Sequence, residues 1–222
     1  MPRVAITAMA SFLVAILVSL VVVLALGIAR EPPEQRSPEQ ILALTVASDG
    51  ALLVALFAIG RWLLGLRPAD LGYRRPSLRT LGYAAGVAAG LWLVSIGVNA
   101  LQIRAFGPHP QSLIVTVGAH TGAVALVLDL LTGAVLAPIA EETLFRGLIF
   151  AALAQRLPVP AAAAVSALLF AASHGLGVIF PIFVLGLGLA YVYARTGTIW
   201  ASMLTHATVN AISLGLLFAL PR

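Results

Sequence analysis

Glu141 and Glu142 stand side by side, with Arg146 four residues on, inside a stretch (Leu130 to Leu153) that is otherwise almost wholly apolar. An ionisable side chain at mid-membrane depth costs about 2.5–3.5 kcal/mol on insertion scales, so three together demand pairing, a wet cavity or chemistry. Two further constellations lie downstream. Phe170-Ala171-Ala172-Ser173-His174 closes one apolar run, and His206 and Asn210 share one helix face inside another. A carboxylate, two imidazoles and an amide can together activate a water and hold an oxyanion. The chain contains no cysteine and no lysine, which removes those nucleophiles. Ser173 adjoins His174, but helix neighbours point apart; Ser202 precedes His206 by one turn, yet a small hydroxyl in a membrane helix is more often a packing group. Hydrolysis by activated water is the chemistry these residues favour.

Helical offsets divide the work between the two acids. Arg146 follows Glu142 by four residues and shares its face, which predicts a structural ion pair. Glu141 is rotated about 100° away and cannot share that partner equally, leaving it free to act. Glu141 and His174 lie symmetrically about the Arg156–Pro160 turn, so an antiparallel hairpin would bring them to one depth. His206 sits about ten residues from its own turn and Glu141 about fifteen from the other. Their depths agree only if the long glutamate helix runs past the membrane surface. Taken singly, each polar residue has a structural explanation as an interhelical hydrogen-bond partner. That holds for Asn210, and for Asp49 and Asp129, neither of which has an obvious partner in its own segment. His109 and His120 fall in a loop and read as solvated.

The elements that must position these groups are membrane helices. The 222 residues are 61% hydrophobic and only 9% charged, against about a quarter charged in a soluble domain. The expected architecture is all-α: a polytopic membrane helix bundle of about seven (six to eight) transmembrane helices. The spans read as Val4–Ala29, Ile41–Leu66, Thr80–Ile103, Gly122–Ala154, Ala161–Ser173, Val178–Ala194 and Thr198–Leu220. The first is too long for the core of a secretory signal peptide and reads as a retained anchor. The fourth is too long for one straight span, and Pro138 offers a kink just before the glutamates. Gly82, Gly86 and Gly90 make a small-residue ridge on the third, suited to close helix packing. The loop Arg104–Thr121 allows an interfacial turn at Leu113–Val115. Residues 1–121 form an N-terminal unit of three spans, and 122–220 a catalytic core.

All 13 basic residues are arginines, and four of them crowd the segment Arg67–Arg79. Basic residues in short connections act as topology determinants, so the net charge of +5 does not indicate a nucleic-acid partner. Placing that segment in the cytoplasm also places Arg3, Arg156 and Arg195 there, and so the N-terminus. The loop Arg30–Gln40, with two arginines against three glutamates, then falls outside. The abundance of Ala, Leu, Val and Arg suggests a bacterial cytoplasmic membrane.

Three motifs in order, Glu141–Gly147 (EETLFRG), Phe170–His174 (FxxxH) and His206–Asn210 (HxxxN), resemble the CAAX prenyl endopeptidase and bacteriocin-processing (Abi) family of intramembrane proteases. The likeness extends to Ala137-Pro138, to Gly197-Thr198-Ile199-Trp200 and, weakly, to Leu66–Gly72. It covers about Gly122 to Leu220. The resemblance implies that Glu141 activates the attacking water with help from His174. It further implies that His206 and Asn210 form the oxyanion site, and that Glu142 and Arg146 support it. The implied partner is a membrane-associated peptide or protein substrate, met in the lipid bilayer.

No cofactor is fixed by the sequence. Glu141, His174 and His206 offer three ligands and an open position for a divalent metal such as zinc. The family is often labelled metalloprotease, but a metal-free glutamate mechanism has also been proposed for it. The chain lacks an HExxH pair, and the balance favours metal-free catalysis. Two alternatives use the same buried cluster: a transporter, against which stands the lack of an inverted repeat, and a non-catalytic scaffold docking through the glycine-rich third span.

Overall fold

The computed structural model describes residues 2–32, 35–107 and 122–219. The loop histidines His109 and His120 and the turn at 113–115 lie outside them. Among the described residues there are helices and no strands. In chain order these are α1 (Pro2–Ala25), α2 (Pro38–Leu64), α3 (Leu78–Phe106), α4 (Ala123–Leu153), α5 (Val159–Ser173), α6 (Ile179–Thr196) and α7 (Ile199–Ala219). Short 3₁₀ turns precede α3 (Pro68–Leu71) and α6 (Leu176–Val178). Their ends follow local chemistry. Ser37 caps α2 in a capping box with Gln40, Ser77 accepts from the Thr80 N–H at the start of α3, and Gly65 and Gly197 close α2 and α6 in the left-handed conformation.

Six helices are long and apolar enough to cross a membrane, α6 counting its 3₁₀ lead-in, and they form a polytopic bundle. The expected fifth span is the exception. α5 has 15 residues, which at 1.5 Å each rise about 22 Å, short of the roughly 30 Å hydrocarbon core. It ends at His174, and Gly175 at φ +90° turns the chain away. A Gln102 side chain from α3 braces this break, donating to the Gly177 carbonyl and accepting the Phe180 N–H. The glycine ridge of α3 is a second correction. A Cβ added at Gly82, Gly86 or Gly90 would meet nothing within 4 Å. The ridge thus faces away from the bundle, and α3 buries Ala84 and Ala88 instead.

α4 is one continuous 31-residue helix with two widened stretches, Leu131–Leu136 and Thr143–Phe150. There N–H groups reach five residues back: Ala137 bonds Thr132, and Ala151 bonds Arg146. Such π-type turns often flank functional sites.

The connection from α2 to α3 fixes how deep α7 begins. Asp70 accepts the Arg67 N–H at 2.8 Å and buries Leu71 to 1% exposure. The Leu71 carbonyl lies where a side chain on Gly147 of α4 would come within 2.9 Å of it. Next along, the Gly72 carbonyl accepts the Ile199 N–H at 2.8 Å, and Thr198 donates to the Arg74 carbonyl at 2.6 Å. Tyr73 meets Thr143 at 2.6 Å; because the Thr143 hydroxyl already donates to Ile139, the phenol is the donor. Burial pushes this phenol above its ordinary pKa, with the Thr143 contact opposing, which keeps it protonated. α7 therefore starts level with Gly147, and α4 runs on for about another 9 Å. His206 lies seven residues into α7 and Glu141 six residues back from Gly147, or about 10.5 and 9 Å. The connection brings them to one depth.

Gly72 tests this anchor. It sits at φ +87°, and a Cβ there would fall 2.6 Å from the Tyr193 ring. Gly65 is equally left-handed at φ +68° but has nothing within 4 Å. Gly65→Ala is expected to cost only the backbone strain of about 1–2 kcal/mol. Gly72→Ala should cost clearly more, adding an overpacking penalty of about 1–3 kcal/mol. Melting temperatures of the two variants in one detergent check the difference; equal shifts would remove Gly72 from this anchoring role.

Candidate active site

α4 presents the two acids to different neighbours. Arg146 Nη1 donates to Glu142 Oε1 at 2.8 Å, and both side chains are fully buried at 0% exposure. The same oxygen faces His206 Nδ1 at 3.0 Å, while Arg146 Nη2 donates to the Gly186 carbonyl of α6 at 3.2 Å. Gly186 also lets α6 pack closely on α5: a Cβ there would lie 2.9 Å from Ala167. Phe170 forms the floor. Its ring lies under the Arg146 guanidinium at 4.4 Å and meets His174 at 4.6 Å and His206 at 5.7 Å, both edge-on.

Glu141 keeps 25% of its side-chain surface open. Its Oε1 lies 3.6 Å from His174 Nε2 and its Oε2 lies 3.7 Å from His206 Nε2. Both separations exceed a direct hydrogen bond, a spacing that admits a bridging water. The opposite ring nitrogens fix the tautomers. His174 Nδ1 faces the Phe170 carbonyl at 2.8 Å, which can only accept, so that nitrogen carries a proton. His206 Nδ1 likewise faces the Glu142 carboxylate. In the neutral rings, both Nε2 lone pairs are turned to Glu141.

The fourth group reaches the site through a backbone irregularity. Ala137 N–H bonds Thr132, five residues back. The next donor in that ladder would belong to residue 138, which is a proline without an N–H. The Gly133 carbonyl is therefore left over, and Asn210 Nδ2 donates to it at 2.7 Å. That contact also fixes which end of the amide is nitrogen. The second Nδ2 hydrogen has no acceptor among the described residues.

Glu141, His174, His206 and Asn210 all line one cavity of about 220 Å³ between α3, α4, α6 and α7. At about 30 Å³ per liquid water, that is room for several. Glu142 and Arg146 lie behind it. Asp49, which accepts from Ser48 at 3.3 Å, and the buried Asp129 are not among the lining residues. Ser173 and His174 do not point apart as expected of helix neighbours, since the serine oxygen lies 3.3 Å from His174 Nδ1, but both groups are directed at one carbonyl acceptor. Ser202 donates to the Ile199 carbonyl and Ser173 to the Phe170 carbonyl. Among the described residues no three His, Cys, Asp or Glu side chains form a group able to hold an ion.

Sequence reasoning passed over the fourth wall. Trp92, Ser95, Ile96 and Asn99 of α3 line the same cavity. Their i, i+3, i+4, i+7 spacing was the available signal, on a different face of α3 from the glycine ridge.

Replacing Arg146 by Met would leave Glu142 charged, buried and short of its strongest partner. The expected cost is about 3–5 kcal/mol, with a lower melting temperature in detergent. Glu142→Leu combined with Arg146→Met should recover most of that loss, because no lone charge remains buried. A single Arg146→Met variant as stable as wild type would contradict the pairing.

Residues 122–212 match the family described as Type II CAAX prenyl endopeptidase Rce1-like. That segment holds all six site residues above. No curated protein and no solved structure matches the chain.

Proposed function

We propose that this chain, an integral membrane protein whose 122–212 segment matches the Rce1-like CAAX endopeptidase family, hydrolyses a peptide bond of a membrane-associated protein or peptide with water activated by Glu141 and His174. The observation that carries the reading is the placement of one partly open carboxylate between two imidazole Nε2 atoms, at 3.6 and 3.7 Å, on a cavity large enough for water and a peptide group.

The chemistry follows from the donors present. A water between Glu141 and His174 gives its proton to the Glu141 carboxylate as its oxygen bonds to the scissile carbonyl carbon. The His174 Nε2 lone pair orients it, with Nδ1–H held on the Phe170 carbonyl. The resulting oxyanion takes the second Asn210 Nδ2 hydrogen. When the His206 ring carries a second proton, with Nδ1–H resting on Glu142, its Nε2–H is the other donor to the oxyanion. When the tetrahedral intermediate collapses, the C–N bond breaks and Glu141 returns its proton to the leaving amine. Glu142 and Arg146 take no part in proton transfer; they hold His206 and Phe170 in place.

The arginines of the 67–79 segment favour a cytoplasmic location for the end of the bundle where α7 begins. The site then lies about 9–10 Å below that end, on the cytoplasmic side. An ion-coupled transporter is the weaker reading, since Glu142 is held by Arg146 and His206 at once.

Glu141→Gln keeps the size and hydrogen-bonding capacity of the side chain but cannot take up the water's proton. It is expected to lower turnover at least about 10²–10⁴-fold, the usual contribution of a positioned general base. Insertion and melting temperature should stay at wild-type values. Comparing peptides from membranes carrying the wild-type and Glu141→Gln proteins identifies the products. Full turnover by Glu141→Gln would sink the mechanism.

A further inference from the structure

The α3 wall of the cavity carries hydrogen-bonding capacity that the protein itself does not use. Serines in the neighbouring spans turn inward on their own helices: Ser11, Ser19 and Ser213 each donate to the carbonyl four residues back. Ser95 does not. Its hydroxyl oxygen is buried and has no partner among the described residues. Asn99, one turn further on, makes no hydrogen bond among them either. Both line the cavity that holds Glu141, His174, His206 and Asn210. Trp92, on the same face, fixes its direction by donating to Ser213 of α7 at 3.1 Å.

In a membrane-embedded cavity such groups are costly to leave unmade, and a peptide main chain entering it has the same need. The dimensions agree. Positions four apart on a helix are separated by about 6 Å along the axis, and same-side main-chain groups of an extended peptide repeat at about 6.6–6.8 Å. A hydroxyl and a carboxamide can both donate and accept, so each can meet a carbonyl or an N–H.

We propose that Ser95 and Asn99 form a main-chain rail that binds an extended peptide across the cavity from Glu141. This rests on the endopeptidase reading and adds the site that holds the substrate. The ligand class is an extended peptide backbone, recognised independently of its side chains. The rail contacts substrate equally before and during reaction, so it acts on binding and not on the chemical step.

The test uses the full chain in lipid nanodiscs. The probe is an internally quenched peptide copied from a cleavage site that depends on Glu141 in the membrane comparison above. One hydrogen bond is worth about two- to ten-fold in affinity, so Ser95→Ala with Asn99→Leu is expected to raise KM roughly ten-fold or more. The kcat should stay within about two-fold. N-methylating the probe's main-chain amides beside the scissile bond should raise the wild-type KM similarly and add little in the double variant. Ser95→Thr, which retains the hydroxyl, should restore most of the affinity lost in Ser95→Ala. If the double variant inserts poorly, the N-methyl series on wild type and the Ser95→Ala/Ser95→Thr pair decide the matter. A Glu141-dependent cleavage whose KM ignores both the substitutions and N-methylation overturns the rail alone. Finding no Glu141-dependent cleavage overturns the endopeptidase reading, and the rail with it.

Discussion

Two adjacent carboxylates in a lipid-embedded helix can coexist only if at least one is compensated, and the buried Glu142–Arg146 pair does this at 2.8 Å. Desolvating both charges cancels much of their attraction, so the pair adds little net stability. What it imposes is geometry. Glu142 has to be reached by Arg146 from its own helix and by His206 from α7, and Arg146 needs the Gly186 carbonyl of α6 and the Phe170 ring of α5. Four helices are thereby tied to one ion pair. Glu141, one residue earlier, is turned away from it and left facing the cavity.

The second constraint is depth. An α-helical hairpin aligns residues equally far from its turn, which suffices for Glu141 and His174. It fails for His206, whose own turn is nearer. The 67–74 segment supplies the correction by packing Leu71 on Gly147 and hydrogen-bonding Gly72 to Ile199, so that α7 starts further along α4. A loop far from the acids in sequence thus sets which turn of α7 meets them. The segment resembled the family's pattern only weakly, because its effect lies in a backbone contact and not in a side chain that could mark it.

What could be read from the chain follows the range of each interaction. Glu142 with Arg146 was legible because a helix fixes i, i+4 neighbours whatever surrounds it. The membrane bundle was legible in long apolar runs, and α5 could have been seen as short by counting its 15 residues. The glycine ridge misled, since spacing shows that three glycines share a face but not whether that face meets a helix or lipid. Ser95 and Asn99 carried a signal of the same kind, a polar pair one turn apart in an apolar run. Their importance emerges only when the opposite wall of the cavity is known. The Asn210–Gly133 contact needed the widened turn of α4, which no periodicity announces.

Pro138 shows how one covalent fact can carry several of these demands. A proline inside a helix removes a donor and strands a carbonyl, usually a cost of about 3 kcal/mol or more in a helix interior. Here the widened turn moves the stranded acceptor to Gly133, where the absence of a side chain leaves room beside Leu214: a Cβ there would come within 3.2 Å of that residue. Asn210 then satisfies the carbonyl with one hydrogen and has no acceptor for the other among the described residues. The irregularity that lets α4 tolerate a proline is thus also what orients the amide. An alanine at 138 would offer that carbonyl a donor from within the helix, in competition with Asn210. In this arrangement a local defect in one helix becomes a positioning device for another. The polar cost of the membrane site is offset by contacts that also aim its residues.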